Sequence, residues 1–338
     1  MKNNRIVFTK KDTAEFLDAE YEIPSADQVI VKTEFSTISP GTERANITGD
    51  PNISATKKAG TFFPRALGYS SAGVVVEIGE NVKNVEVGDR VVAFWGTHSK
   101  YNIVNKNNVV KIDDDSVSFQ QAALAFITSF PMAAIRKTRL EIGESAIVMG
   151  LGLLGQFAVK LLKAAGAVPV IAVDPVEERR KDALAAGADY VFSPFEEGFS
   201  EKVKEITNGG ANVAIEVTGV GAGLDGVLDC MAKFGRVALL GCTRDKNFTI
   251  DYYRKIHAPG ITIVGAHTIA RPEVESHPGY FTHQDDIKSI MKLIAYKRID
   301  FSDMIKEVHS PKNCREVYTR LINDKDFPVL VQFDWRNI

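Results

Sequence analysis

Two stretches in the middle of the chain carry residue types whose spacing could hold a phosphate-bearing ligand. Gly150-Leu151-Gly152-Leu153-Leu154-Gly155 sets three glycines in a GxGxxG pattern, directly after a β-branched run and at the opening of a helical pattern. Glycine suits that place because the turn is tight, a pyrophosphate must approach bare backbone, and helix and strand pack closely. The helix N-terminus then offers unused N–H groups and a partial positive charge. Asp174 ends the next apolar run, 19 residues after the last glycine (155 to 174). That is near the spacing of about 20 at which an acid meets ribose hydroxyls. A carboxylate there hydrogen-bonds a 2′-hydroxyl and repels a 2′-phosphate, which favours NAD(H) and leaves NADP(H) open. Arg179 and Arg180 stand near enough to be considered for a phosphate; as a charge run on a second helix they are expected to face water.

The elements that must position this turn recur regularly between about residues 143 and 266. Apolar runs at Ala146–Met149, Val168–Val173, Asp189–Phe192, Val213–Val217, Arg236–Leu240 and Ile261–Val264 alternate with helix-like segments. After the first run, Leu154, Phe157, Ala158, Leu161, Leu162 and Ala165 share one helical face, Gln156, Lys160 and Lys163 the other, and Gly166 stops the pattern. Such repetition predicts an α/β fold, a doubly wound parallel six-stranded sheet covered on both faces. The flanks differ. Residues 1 to about 120 carry short alternating runs (Gln28–Phe35, Gly73–Ile78, Arg90–Phe94, Asn108–Ile112) with turn signals at Ser39-Pro40-Gly41 and Gly88-Asp89. These predict a compact antiparallel β domain. A helix near Asp285–Lys297 and a terminal strand Val329–Phe333 suggest that the C-terminal segment returns to pack on it.

The 338 residues are enough for about two domains. With 45% hydrophobic and 25% charged residues the composition is that of a globular protein. Lys plus Arg number 41 against 43 Asp plus Glu, a balance that argues against nucleic-acid binding. The longest apolar stretch, Ala122 to Ile135, is interrupted by Thr128, Ser129 and Pro131, so no membrane span is expected. The first sixteen residues lack the apolar segment of a signal peptide. Cys230, Cys242 and Cys314 are few and scattered, which points to a cytoplasmic protein without a disulfide framework.

Leu67-Gly68-Tyr69-Ser70-Ser71-Ala72-Gly73-Val74-Val75 and Val85-Glu86-Val87-Gly88-Asp89-Arg90-Val91, followed by Gly187-Ala188-Asp189, Glu216-Val217-Thr218-Gly219 and Gly235-Arg236-Val237, resemble the signatures of the medium-chain dehydrogenase/reductase superfamily over nearly the whole chain. The resemblance implies a GroES-like β-rich catalytic domain (1–125, completed by 268–338) and a Rossmann domain (126–267), with the active site in the cleft between them, and a homodimer. It also implies that Thr128, Thr218, Gly241 and Ala266 join Gly150, Leu151, Gly152, Leu153, Leu154, Gly155 and Asp174 in binding the coenzyme.

The zinc members of that family hold their metal through a Cys in an early loop, the His-Glu of a Gly-His-Glu motif, and a later Cys or acid. Here Ser39 stands at the Cys position, with Gly41-Thr42-Glu43 close behind; Gly-His-Glu has become Gly68-Tyr69-Ser70, and Leu124 to Phe126 cannot ligate. Hydroxyls are poor zinc ligands, so a zinc-independent member is expected. Without a Lewis acid something else must handle the proton. Tyr69 is the first candidate, since an ordinary phenol is protonated at neutral pH; Ser39, Thr42 and Glu43 could relay protons or bind substrate hydroxyls. The alternatives are that Tyr69 fills the volume a metal would take and that Thr42 and Glu43 are turn or capping residues. His267, after the sixth strand, could supply a proton or be a loop or interface histidine; His277 and His283 read as loop residues. The expected activity is hydride transfer between NAD(H) and a small alcohol or carbonyl substrate. Enone or quinone reduction and a non-catalytic dinucleotide-binding role are the alternatives.

Overall fold

The computed structural model describes residues 2–20, 23–50, 63–243 and 247–338. The chain divides into two compact units, Met1–Ile127 with Ile287–Ile338, and Thr128–Asp286.

The first unit opens with an antiparallel hairpin, β1 (Lys2–Lys10) and β2 (Thr13–Glu20), whose turn residue Asp12 takes a left-handed backbone (φ 57°). Next come β3 (Gln28–Thr37), α1 (Pro40–Ile47), β4 (Ser70–Ile78), β5 (Arg90–Phe94), β6 (Tyr101–Asn105), β7 (Val109–Lys111) and α2 (Phe119–Ala122). Ser39-Pro40-Gly41, expected as a turn, is instead the cap and first turn of α1. Proline is tolerated at a first helical position, where its missing N–H has no intrahelical partner to lose. The register pairs Ser36 of β3 with Ser71 of β4, and Ser70 with Phe94 of β5. Residues just beyond these strand ends, Ser39, Tyr69 and Trp95, therefore emerge at one edge of the sheet.

The interrupted apolar stretch proves to be a continuous helix, α3 (Ala125–Thr138), with Pro131 inside it. The second unit continues with β8 (Ala146–Met149), α4 (Leu153–Ala164), β9 (Val170–Val173), α5 (Glu177–Ala185), β10 (Tyr190–Phe192), α6 (Phe199–Ile206), β11 (Ala211–Glu216), α7 (Gly221–Asp229), β12 (Met231–Leu239) and β13 (Thr262–Gly265). All six strands are parallel, in the order β10-β9-β8-β11-β12-β13. This is the doubly wound arrangement, with its reversal point between β8 and β11. Every residue of β8 and β9 is buried, as in strands covered on both faces, and each large apolar side chain among them contributes about 1.5–3 kcal/mol. In α4, Phe157, Ala158, Leu161 and Leu162 are buried as the period predicts, whereas Leu154 is only half-buried and Ala165, past the last turn, is exposed; Gly166 ends the helix region at φ 88°. Gln156 departs from its expected solvent face: it is buried, and its amide donates to the Arg179 carbonyl at 2.8 Å.

The last elements are α8 (His283–Ala295), β14 (Glu307–His309), α9 (Cys314–Asn323) and β15 (Val331–Asp334). β15 pairs antiparallel with β3, so the C-terminal strand does return to the first unit's sheet. His283 begins α8 rather than lying in a loop, and burial drives its imidazole down to about 3. No helix among the described residues is long and apolar enough to cross a membrane.

Candidate functional site

The glycine turn after β8 is a cradle in which a Cβ would change everything at one end and nothing at another. Gly150 has φ 99°, and a Cβ there would come within 2.9 Å of the Thr218 methyl; a Cβ on Gly155 would lie 1.9 Å from the Gly150 carbonyl oxygen. A Cβ on Gly152 would meet nothing within 4 Å. Gly152 is the N-cap of α4 and makes no side-chain cap, so Leu153, Leu154 and Gly155 present the unused amides of a helix start. Open space above Gly152 beside those amides is what a diphosphate needs. Gly155→Ala is expected to destabilise the unit by about 1–3 kcal/mol in urea melts, because backbone must move. Gly152→Ala should leave the melt unchanged and weaken NADH in a fluorescence titration. Equal binding by Gly152→Ala and the unaltered protein would remove the turn from the coenzyme site.

Asp174 follows β9, is 3% exposed, and is tied to the turn itself. Its Oδ2 accepts the Leu151 N–H at 2.8 Å and its Oδ1 the Val176 N–H at 2.9 Å. Arg179 and Arg180 do not simply face water. The Arg179 guanidinium lies 3.6 Å from Asp174 Oδ2, and Arg180 donates to the Asp174 and Pro175 carbonyls at 2.7 and 2.9 Å.

Thr218, Gly241 and Ala266 gather with Gly150 at the carboxyl ends of β8, β11, β12 and β13, the edge at which such sheets take ligands. Glu216 organises this edge. It is buried, its Oε1 accepts the Thr218 N–H at 2.8 Å and the Thr218 hydroxyl, and both its oxygens face the Gly219 N–H at 3.2 and 3.3 Å. Burial holds its carboxyl above the ordinary value, against the pull of those donors. A Cβ on Gly241 would strike the Gly219 nitrogen at 2.4 Å, and the Ala266 amide donates to the Leu239 carbonyl at 3.0 Å. Glu216 was not among the sequence candidates, although an acid closing a strand before Thr-Gly was a usable signal. Thr128 is fully buried at the start of this unit, within α3. His267 follows β13 half-buried; burial first, then the Lys137 ammonium, lower its imidazole, and the Ile269 amide approaches its Nδ1 at 3.4 Å. It lies in a different unit from Tyr69.

In the first unit the structure brings Ser39, Thr42 and Tyr69 together. The Tyr69 hydroxyl donates to Ser39 Oγ at 2.6 Å and lies 3.4 Å from Thr42 Oγ1. Ser39 is the N-cap of α1, yet its side chain makes no capping bond, although capping is the usual work of a serine there. Of the two readings of Glu43, its contacts are those of a residue capping the start of α1 and not those of a substrate or relay group. It is fully buried and folds back to accept the Ser39 N–H at 2.8 Å. The Tyr69 ring packs against Trp95 (centroids 5.8 Å) and edge-on to Phe126 (5.7 Å); Trp95 holds φ 57° and is 43% exposed. His98, Ser36, Tyr318 and Trp335, around Glu43, carried no signal along the chain, because they meet only through long-range packing.

A zinc ion would need donors this cluster does not offer. Ser39 and Tyr69 supply neutral hydroxyls, and Leu124, Ala125 and Phe126 are buried and apolar. The nearest imidazole and carboxylate, His98 and Glu43, face each other with Nε2 to Oε2 3.2 Å. Among the described residues no group of three or more His, Cys, Asp or Glu side chains could hold a metal ion. The donor set does not fit zinc.

Comparison with known proteins finds a match in each half of the sequence. Residues 25–114 match the family described as alcohol dehydrogenase GroES-like domain, and residues 154–277 match the family described as zinc-binding dehydrogenase. An L-threonine 3-dehydrogenase of Pyrococcus horikoshii is 32% identical over 230 residues, a match spanning 60% of this chain and 66% of that enzyme. A D-guloside 3-dehydrogenase of Escherichia coli is 27% identical over 260 residues, 76% of this chain and 73% of that protein. The crystal structure of a 2R,3R-butanediol dehydrogenase from Bacillus subtilis superposes with a TM-score of 0.83 at 22% identity, covering 98% of this chain and 99% of that one. With the six-stranded doubly wound sheet, the GroES-like sheet and both family matches in one order along the sequence, the chain belongs to the medium-chain dehydrogenase/reductase superfamily of oxidoreductases.

Proposed function

We propose that the protein is a zinc-independent dehydrogenase that interconverts a small secondary alcohol and its ketone with NAD(H), using Tyr69 and Ser39 to handle the proton. The hydroxyl cluster carries this reading: Tyr69 donates to Ser39 at 2.6 Å, where zinc relatives would place ligands. The amides of Leu153, Leu154 and Gly155 would hold the diphosphate, Asp174 the adenosine ribose, and Thr128, Thr218, Gly241 and Ala266 would line the nicotinamide end. When bound, the nicotinamide supplies or accepts the hydride. The chain's own residues manage the oxygen. In the reducing direction the carbonyl oxygen accepts a hydrogen bond from Tyr69; as charge develops there, the phenol gives up its proton, the product leaves as an alcohol, and solvent reprotonates the tyrosinate. Ser39, relieved of capping, keeps its own O–H for a second hydrogen bond to the same oxygen. Oxidation runs the same steps in reverse.

The substrate class is supported by relatives named L-threonine 3-dehydrogenase, (R,R)-butanediol dehydrogenase and D-guloside 3-dehydrogenase. A cytoplasmic homodimer is part of the proposal. Cys230 and Cys314 are buried thiols, raised to about 12 and about 11 by burial, which suits a reducing compartment. β13 is an edge strand on which a second copy could continue the sheet.

The test is a panel of secondary alcohols, diols, ketones, enones and quinones followed through NADH absorbance, before and after dialysis against EDTA. Turnover of alcohols or ketones is expected, unaffected by chelation, with zinc well below one equivalent per chain. A full equivalent of zinc, or activity lost to EDTA and restored by zinc, overturns the metal-free assignment. Reduction of enones or quinones alone would replace alcohol chemistry with double-bond reduction. Coenzyme binding without turnover of any compound would leave a binding protein.

A further inference from the structure

Glu43 sits at the centre of a buried hydrogen-bond network drawn from five parts of the first unit. Its Oε1 takes the Ser39 N–H at the start of α1, and its Oε2 takes the hydroxyl of Tyr318 on α9. His98, between β5 and β6, brings Nε2 to 3.3 and 3.2 Å from the two oxygens. Behind the imidazole, Ser36 Oγ of β3 lies 2.7 Å from His98 Nδ1 and accepts the Trp335 Nε1–H at 2.8 Å. Glu43, His98, Ser36, Tyr318 and Trp335 are each 1% exposed or less.

The direction of these bonds can be worked out from one fixed point. An indole N–H only donates, so Ser36 Oγ must accept from Trp335. A carboxylate only accepts, so the imidazole nitrogen facing Glu43 must carry a hydrogen. A neutral ring then has a bare Nδ1, which the Ser36 hydroxyl hydrogen satisfies. In the opposite tautomer Nε2 would face the carboxylate lone pair to lone pair, and the Ser36 hydrogen would be left without its acceptor. Only the first arrangement satisfies every group, as buried polar groups require.

We propose that His98, in the Nε2–H form, and Tyr318 are positioning residues that clamp the Glu43 carboxylate, and that Glu43 in turn holds the Ser39 backbone so that the Ser39 hydroxyl is left for Tyr69. Glu43 takes no part in proton transfer. Its carboxylate secures the Ser39 N–H, Pro40 has no N–H to satisfy, and the serine side chain is thereby released from the helix end. The direction runs from the C-terminal segment, through Glu43, to the hydroxyl pair. This assignment rests on the alcohol/ketone reading of that pair for its kinetic consequence, and not for the network itself.

Two measurements decide it. The first is kinetic. Tyr318→Phe is expected to lower kcat at least about tenfold with the KM for NADH changed by no more than about twofold. In a double-mutant cycle, Ser39→Ala/Tyr318→Phe should be no slower than Ser39→Ala alone, because Tyr318 acts only through the placement of the Ser39 hydroxyl. Multiplicative losses, expected of a merely structural residue, would overturn the clamp. The second needs no activity: side-chain ¹H–¹⁵N NMR of the unaltered protein at neutral pH, with the His98 signals assigned by their loss in His98→Gln. A ring protonated at Nε2 alone is expected, and a ring protonated at Nδ1 alone overturns the network. If no compound in the panel is turned over, the proposed function falls while the NMR result still decides the network. If Tyr318→Phe does not fold, the NMR result decides alone.

Discussion

Tyr69→Phe is expected to lower kcat for ketone reduction about 100-fold, the usual contribution of a positioned general acid, with the KM for coenzyme unchanged. That loss corresponds to about 2.7 kcal/mol of transition-state stabilisation. The substitution removes one oxygen and leaves the ring that packs against Trp95 and Phe126. The lost ground-state bond to Ser39 contributes only about 1 kcal/mol, so the thermal midpoint should hardly move, and the kinetic loss can be read as chemistry. Ser39→Ala should cost less. Its hydroxyl orients the substrate oxygen beside Tyr69, and the phenol still has Thr42 Oγ1 within 3.4 Å. Steady-state kinetics in both directions, with a melt on each variant, separate these effects. A Tyr69→Phe enzyme that turns over at the rate of the unaltered protein would end the proton-donor assignment and leave Tyr69 as filling for the space beside Phe126.

The parts of the molecule legible along the chain were those whose determinants are local. The β-branched runs and intervening apolar faces were enough for a six-stranded parallel sheet, since a strand buried on both faces has to be apolar at nearly every position. The GxGxxG turn was legible because its pattern is local: Gly155 answers to the Gly150 carbonyl five residues back, although Gly150 itself also faces Thr218. Local pattern failed where long-range partners decide. Ser39-Pro40-Gly41 is a turn signal along the chain, whereas buried Glu43 and the packing of Ile47 make it the start of a helix, α1. Pro131 resembled a break in an apolar run, yet it sits inside α3. Polarity alone assigns Gln156 and the two arginines to solvent, but each has a backbone carbonyl or a carboxylate to bind. Glu43 shows the difference most clearly. Its residue type and place beside Ser39 left it open between a chemical and a capping role, and Tyr318, 275 residues away, marks it as an anchor.

NADH is expected to bind at least about tenfold more tightly than NADPH, and Asp174→Asn to narrow or reverse that ratio. The Asp174 carboxylate already accepts two backbone amides, from Leu151 and Val176. An ionised carboxylate has about four lone-pair sites, so two remain for ribose hydroxyls without disturbing the turn. Hydrogen bonds to a charged acceptor are worth about 1.5–3 kcal/mol, or roughly 10- to 100-fold in affinity. A 2′-phosphate removes one of those donors and sets two negative groups side by side. Arg179, at 3.6 Å from Asp174 Oδ2, offsets part of this repulsion, and it is the group that would take the phosphate once the carboxylate is gone. Asp174→Asn keeps an oxygen for one backbone amide, loses the charge, and faces the other amide with an NH₂. It should therefore weaken NADH and strengthen NADPH, with some loss of stability from the turn. Arg179→Ala on the Asp174→Asn background should then reverse the gain for NADPH while leaving NADH nearly unchanged. Isothermal titration with both coenzymes across these two variants and the unaltered protein reads each step. NADPH binding as tightly as NADH to the unaltered protein would mean that Asp174 serves the glycine turn alone, its two amides being its whole function.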